Sequence, residues 1–221
     1  MLENGWLSHQ PRAFQTDVLA RTALVNFSPG QVVYSCGDEL GGIYGLVSGI
    51  VTINTAPPDK APEPIHIGEL GGWTGEDGFL TRQPRRIELC ALIETWMMYL
   101  PLEQMDEMVS ANPAAVYRFA QILLANADTL VKIIRDLQKL DPDRRIASAL
   151  LRMTKSGEYP IPLTQSEIGS TACASRRQVN STLRRFSQNG WIEASYRSIQ
   201  ILNAEKLRIF AAEEGQRSNV T

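Results

Sequence analysis

The chain has 221 residues, with 22 lysines and arginines against 24 aspartates and glutamates, two histidines and three cysteines. That length allows two modest domains, each with its own core. The composition excludes a uniformly basic coat (net charge −2), a disulfide framework or Cys-x-x-Cys metal site (Cys36, Cys90 and Cys173 are widely scattered), and an apolar run long enough to cross a membrane.

Met1–Gln10 has neither the basic start nor the apolar run of a signal peptide, so a reducing cytoplasm is the expected setting. Charge is unevenly spread. Residues 1–140 hold 10 basic and 16 acidic side chains, and residues 141–221 hold 12 basic and 8 acidic ones. A basic C-terminal part on an acidic remainder suits a sensor joined to a nucleic-acid-binding domain.

From Asn26 to about Leu100, short apolar runs predict strands at Val32–Tyr34, Ile43–Val47, Ile50–Ile53, Ile65–Ile67, Ile87–Leu92 and Trp96–Leu100. Turn signals at Ser28-Pro29-Gly30, Cys36-Gly37-Asp38, Ser48-Gly49 and Gly71-Gly72 separate them. Many short strands at such spacing indicate an antiparallel sandwich or barrel. Thr55–Pro64 holds four prolines and reads as a loop or hairpin tip. Gly75-Glu76 and Pro84-Arg85-Arg86 carry chemical potential: a carboxylate can bond a ribose hydroxyl, and a guanidinium can grip a phosphate. Spacing alone also fits a charged surface loop.

Pro113 opens a long helix running to about Leu140. An a/d seam follows from Val116, Phe119, Leu123, Asn126, Leu130, Ile133 and Leu137, widened by Ala120, Ala127 and Ile134. The seam can pack on the chain's own β-domain, on a second copy, or on both. At a d position, Asn126 would favour one register if buried; otherwise it is solvated. Leu140-Asp141-Pro142-Asp143 then breaks the helix and marks a hinge. The expected divisions are 1–111, 112–140 and 141–221.

Beyond the hinge, Arg144–Met153 is a core helix and Tyr159–Pro162 a short edge strand. Leu163–Phe186 contains two capping boxes, Thr164-x-x-Glu167 and Ser175-x-x-Gln178, eleven residues apart. That spacing leaves room for a short helix and a turn, as in a helix-turn-helix. Inward positions are Ile168, Ala172, Val179, Leu183 and Phe186. Arg176, Arg177 and Ser181 face outward at the start of the second helix, where arginine forks can bond guanine edges or phosphates. Ile192–Ala194 and Ile199–Leu202 form a hairpin with Arg197 near its tip, and Ala204–Ala212 a last helix. No nucleophile–base pair, paired carboxylates or metal-ligand spacing points to an enzyme.

Over nearly its full length the chain resembles the CRP/FNR superfamily of bacterial transcription regulators. Ile43–Gly49 resembles the family's strand–Gly–strand signature, Gly75-Glu76 with Pro84-Arg85 its phosphate-binding cassette, and Leu163–Phe186 its helix-turn-helix. The resemblance implies an α+β chain: an N-terminal double-stranded β-helix (a jelly-roll-like β-roll), a dimerisation helix, and a C-terminal winged helix-turn-helix. It also implies a homodimer on a two-fold-related DNA site, in contact with RNA polymerase. Arg176, Arg177 and Ser181 would read bases. Thr164, Gln165, Ser175, Gln178, Arg184 and Arg197 would be phosphate or supporting contacts. Gly75, Glu76, Arg85 or Arg86, and Thr129 would meet an effector.

Several departures bear on these expectations. Family members commonly carry Glu at Arg177 and Arg at Ser181, which predicts a different operator, and Cys173 stands where a turn glycine is usual. Cyclic-AMP binders place a small residue after the phosphate arginine, whereas here Arg86 follows Arg85, or Ile87 follows Arg86. Apolar Leu130 and Val131 fall where polar side chains should meet the base. Cyclic AMP is therefore disfavoured, and no iron–sulfur cluster is expected because the cysteine cluster is missing. A competing reading keeps the sensor but has the C-terminal domain contact protein; the arginine pair argues against it.

Overall fold

The computed structural model describes residues 1–55, 62–153, 160, 162–195 and 198–212. The middle of the expected Thr55–Pro64 tip, Tyr159 and Ile161 of the expected edge strand, and Arg197 lie outside the described residues. One compact unit is built on Met1–Val131. The second begins at Lys132 and takes in the rest of the described chain.

In the first unit, helix α1 (Arg12–Arg21) precedes strands β1 (Ala23–Phe27), β2 (Val32–Tyr34), β3 (Ile43–Ser48), β4 (Val51–Thr55), β5 (Glu63–Ile67) and β6 (Trp73–Thr74). Helix α2 (Glu76–Thr81), strands β7 (Glu88–Ala91) and β8 (Thr95–Leu100), and helix α3 (Leu102–Ala111) follow. Two antiparallel four-stranded sheets result, ordered β1-β8-β3-β6 and β2-β7-β4-β5. The β3–β4 turn requires Gly49, at φ 95°, because a Cβ there would stand 2.4 Å from Thr95 Oγ1. Phe27, Tyr34, Leu46, Val51, Leu89 and Met97 pack together in one apolar cluster.

A second cluster joins the roll to its helices through Trp6, Ile43, Trp73, Phe79, Met105 and Phe119. The ring of Phe119 lies 5.2 Å from Phe79, 5.6 Å from Phe14 and 6.0 Å from Trp6. The expectations above did not include α1, β1, β6 or α3. Only Val18 of α1 is buried, and β1 buries only Phe27, so neither shows an amphipathic period.

Helix α4 (Ala115–Leu137) is one continuous helix. Its inward face is Ala115, Phe119 and Ile122, all within the first unit's core, with Asn126 one turn further on. The expected seam is thus divided. Phe119 is fully buried in its own chain, Val116 packs on the same core, and Ile133 is also buried, so these three are not free to meet a second copy. Leu123 and Leu130 are exposed, and Leu137 is half-buried. The exposed apolar row is shifted by one residue. Tyr117, Leu124 and Val131 recur every seven positions, with Ala127 and Ile134 between and beyond them. The helix is apolar on two sides, and the β-roll takes the side that carries Phe119.

The second unit contains α5 (Pro142–Met153), α6 (Gln165–Ala172), α7 (Arg176–Gln188), the antiparallel hairpin β9 (Ile192–Ser195) and β10 (Ser198–Ile201), and α8 (Ala204–Ala212). Buried Ile146, Leu150, Ile168, Val179, Leu183 and Phe186 lie at helical spacing on α5, α6 and α7. Phe186 is wedged between Trp191, 5.3 Å away, and Phe210, 5.5 Å away. The whole is α+β: an antiparallel β-domain, a long helix and a winged helix-turn-helix.

Candidate nucleic-acid interface and sensor loop

The starts of α6 and α7 are closed by reciprocal caps. The Glu167 amide donates to Thr164 Oγ1 at 3.2 Å, and the Thr164 amide donates to Glu167 Oε2 at 2.6 Å. At α7 the Gln178 amide donates to Ser175 Oγ at 3.3 Å, and the Ser175 amide to Gln178 Oε1 at 2.9 Å. These bonds satisfy amides that a bare helix end leaves orphaned, and Ala at such a cap costs about 1 kcal/mol. The turn between α6 and α7 is tight: a Cβ on Gly169 would lie 2.6 Å from Ala174 O. Cys173 ends α6 in the left-handed region, at φ 46°.

From this frame α7 buries Val179, Thr182, Leu183 and Phe186 and presents the opposite face to solvent. Arg176, Arg177, Asn180, Ser181 and Arg184 are all exposed there. Spacings of one, three and four residues place them in one band along the helix. α7 is anchored from behind by Asp143, which accepts from the Thr182 hydroxyl and from Arg185 Nη2, the latter at 2.6 Å. Such a band has guanidinium forks, an amide and a hydroxyl at a helix N-terminus, the groups that bond base edges and phosphates.

In the β-domain, Gly75 (φ 98°) starts α2 and Arg85 points back under it. Arg85 Nη1 donates to Gly75 O at 2.9 Å and Nη2 to Gly42 O at 2.6 Å, while the guanidinium lies 4.4 Å from the Tyr34 ring centroid. A Cβ on Gly75 would come within 2.5 Å of Arg85 Nη1, and one on Gly41 within 2.5 Å of Nη2, so glycine is what admits the side chain. Arg85 is 4% exposed and Arg86 faces solvent, which resolves the one-residue ambiguity in favour of Arg85 as the inward arginine. Glu76 is also buried. Its Oε1 accepts from Asn126 Nδ2 at 2.9 Å, and Asn126 donates to Trp73 O at 3.2 Å as well. Asn126, expected at a seam between copies, is therefore turned to its own β-domain. The Thr129 hydroxyl donates to Ala125 O of its own helix at 3.2 Å.

Residues 24–112 match the model of the cyclic nucleotide-binding domain, and residues 144–210 that of the Crp-like helix-turn-helix domain. The chain belongs to the CRP/FNR superfamily of transcription regulators. It is 25% identical over 191 residues to the CRP-like cAMP-activated global transcriptional regulator of Mycobacterium tuberculosis, covering 83% of this chain and 85% of the relative. It is 24% identical over 187 residues to the transcriptional activator protein FnrA of Stutzerimonas stutzeri, covering 79% of this chain and 75% of that one. Among solved structures, FixK2 of Bradyrhizobium japonicum superposes with a TM-score of 0.72 at 14% identity, covering 88% of this chain and 99% of that one.

In a CRP/FNR regulator the helix-turn-helix belongs to a DNA-binding domain, and α7 is its second helix. Sequence reasoning overlooked Asn180, whose place four residues after Arg176 was legible. It also missed Asp143, Arg145 and Tyr34, which act across long sequence separations and leave no local signal. Among the described residues no helix is long and apolar enough to cross a membrane.

The Glu76 carboxyl is raised above its ordinary 4.5, first by burial and in spite of the Asn126 bond. The folded state therefore holds the proton more tightly than the unfolded state does, and stability falls as pH rises above about 4.5. Glu76→Gln, which keeps an oxygen for Asn126, should raise the melting temperature more at pH 7.5 than at pH 4.5. Equal shifts at the two pH values would refute this ionisation cost.

Proposed function

We propose that the chain acts as a homodimer that places two copies of α7 in successive major grooves of a two-fold-related DNA site. The observation that carries this reading is the exposed band of Arg176, Arg177, Asn180, Ser181 and Arg184 on a helix that starts in a capping box. The exposed row of Tyr117, Leu124, Val131 and Ile134 on α4 supports self-association, since monomers rarely leave so long an apolar stripe in water. Half-sites would lie about one DNA turn apart, roughly 34 Å. Arg176 and Arg177 donate to guanine edges and Asn180 offers an amide for adenine, so the operator is expected to be richer in guanine contacts than a glutamate at position 177 would allow. Side chains of Thr164, Ser175 and Gln178 are engaged in caps, which assigns them to fixing the helices, with Gln165 and Arg184 left to phosphates. Bound beside a promoter, such a dimer would contact RNA polymerase.

The effector is a molecule other than cyclic AMP, or none. Arg85 already gives two donors to backbone carbonyls and its face to Tyr34. Thr129 is the polar side chain near the expected base position, and its hydroxyl is bonded to its own helix. Leu130 and Val131 beside it offer no hydrogen bond to a purine, and each unpaired buried polar group costs roughly 1–3 kcal/mol. Calorimetric titration with cyclic AMP and cyclic GMP should give no binding at micromolar concentration, and micromolar affinity for either would overturn this part. The DNA role is read by selecting duplexes from a random pool with purified protein, with and without those nucleotides. A recovered two-fold-symmetric site is the expected result, and failure to enrich any sequence would refute it.

A further inference from the structure

One side chain in the C-terminal unit bridges two segments that lie far apart in sequence. Arg145, on α5, spreads its guanidinium over four backbone carbonyls. Nη1 donates to Lys139 O at 2.7 Å and to Leu140 O at 3.2 Å. Nε donates to Ala172 O at 2.9 Å and Nη2 to Cys173 O at 3.0 Å. The first pair lies just beyond the end of α4 and the second closes α6 at the turn into α7. The second pair are carbonyls that a helix end leaves without an intrahelical partner.

Each segment has a weak point. Leu140 is 95% exposed, so the linker has no apolar anchor there. Cys173 sits at φ 46°, ψ 51°, a left-handed conformation that disfavours any residue with a Cβ. Such strain persists only where surrounding structure over-determines it. Here the Ala174 amide bonds Gly169 O at 2.9 Å, and Arg145 takes the carbonyls of both Ala172 and Cys173. Lys139 is tethered in turn through its ammonium to Asp136 at 2.7 Å and to Ser148.

We propose that Arg145 is a positioning residue for DNA reading: its fork fixes the α6–α7 turn to the end of α4, and so sets where the outward band of α7 points. Arg145 need not touch DNA. The inference rests on α7 as the reading helix and adds what orients it. It also accounts for how a cysteine is tolerated in the turn.

The decisive variant is Arg145→Lys, which keeps the charge and most of the stem and loses the planar fork. In the full chain, on a duplex selected by the wild-type protein, R145K should lose about tenfold in affinity, since a fork-to-ammonium change at a multidentate site is not conservative. Affinity for a scrambled duplex and the slope of log K against log salt should stay as in wild type. Amide hydrogen exchange at Cys173 and Ala174 should be faster. Adding Cys173→Gly, which removes the left-handed strain, should recover part of the lost affinity. A phosphate contact predicts the opposite pattern: R145K near wild type, and R145M weakened equally on both duplexes with a salt slope smaller by about one. That pattern, or unchanged exchange at Cys173 and Ala174 in R145K, would overturn the proposal. If wild-type protein selects no duplex, the DNA reading itself fails, and the exchange measurement alone still decides whether Arg145 holds the turn.

Discussion

Replacing Arg176 and Arg177 together with alanine is expected to abolish sequence-specific DNA binding and leave the protein folded. Neither side chain is needed by the fold. Both are exposed, and the cap of α7 is made by Ser175 and Gln178, not by the arginines. The apolar side of the helix is untouched, since Val179, Leu183 and Phe186 carry the packing. Alanine at N1 and N2 also favours helix. Each bidentate base contact is worth about 1–3 kcal/mol, so losing two should weaken each half-site by about 2–6 kcal/mol, roughly thirtyfold to 10⁴-fold. Fluorescence anisotropy on selected and scrambled duplexes reads this directly, with a thermal melt as the folding control. Retained preference for the selected duplex would remove α7 from base reading.

Placing glutamate at Leu124 and Val131 is expected to convert the proposed dimer into monomers. Leu124 is 64% exposed and Val131 48% exposed, seven residues apart on the face of α4 that the β-roll leaves open. Fully burying such a side chain is worth about 1.5–3 kcal/mol, these two are partly exposed, and a two-fold seam buries each position twice, so the pair would account for about 3–7 kcal/mol of association. Four carboxylates in that seam would add a desolvation cost. Sedimentation equilibrium should show the mass of a single chain, and affinity for a full two-fold site should fall toward that for a half-site. The contrasting variant is Phe119→Ala. Phe119 is fully buried against Phe79, Phe14 and Trp6, so its loss should cost about 3–5 kcal/mol of folding stability. A fully dimeric L124E/V131E protein would place the self-association surface elsewhere.

These two variants also separate what was legible from what was not. The two capping boxes and the eleven-residue step between Thr164 and Ser175 were readable because capping is a matter of three or four residues. The exposed arginines followed from helical period once the helix start was known. The heptad texture of α4 was equally plain, yet its working side was not. A helix apolar over more than half its circumference has two candidate faces, and periodicity is satisfied by either. Phe119 settles the matter by docking on Phe79 and Trp6, which lie far apart in the β-domain sequence. Asn126 moves with it, from an expected seam position to a bond with Glu76.

The sensor loop repeats the lesson at finer scale. Gly75-Glu76 and Pro84-Arg85-Arg86 announced a carboxylate and a guanidinium but left open which arginine turns inward. The choice is made by space: Gly41 and Gly75 leave room for the guanidinium of Arg85, which bonds the carbonyls of Gly42 and Gly75 with Tyr34 beneath it. That same occupancy is what argues against cyclic AMP.

By itself, then, the sequence determined the order of parts, the antiparallel character of the first domain, the capped helix-turn-helix and the basic band on α7. Each rests on signals confined to a few neighbouring residues or one periodic stripe. Tertiary structure decided which face of α4 is free, which arginine is buried, and how Arg145 reaches Lys139, Leu140, Ala172 and Cys173 at once. Those depend on carbonyls and rings brought together from distant segments, and a backbone carbonyl carries no mark in the sequence of what will bond to it.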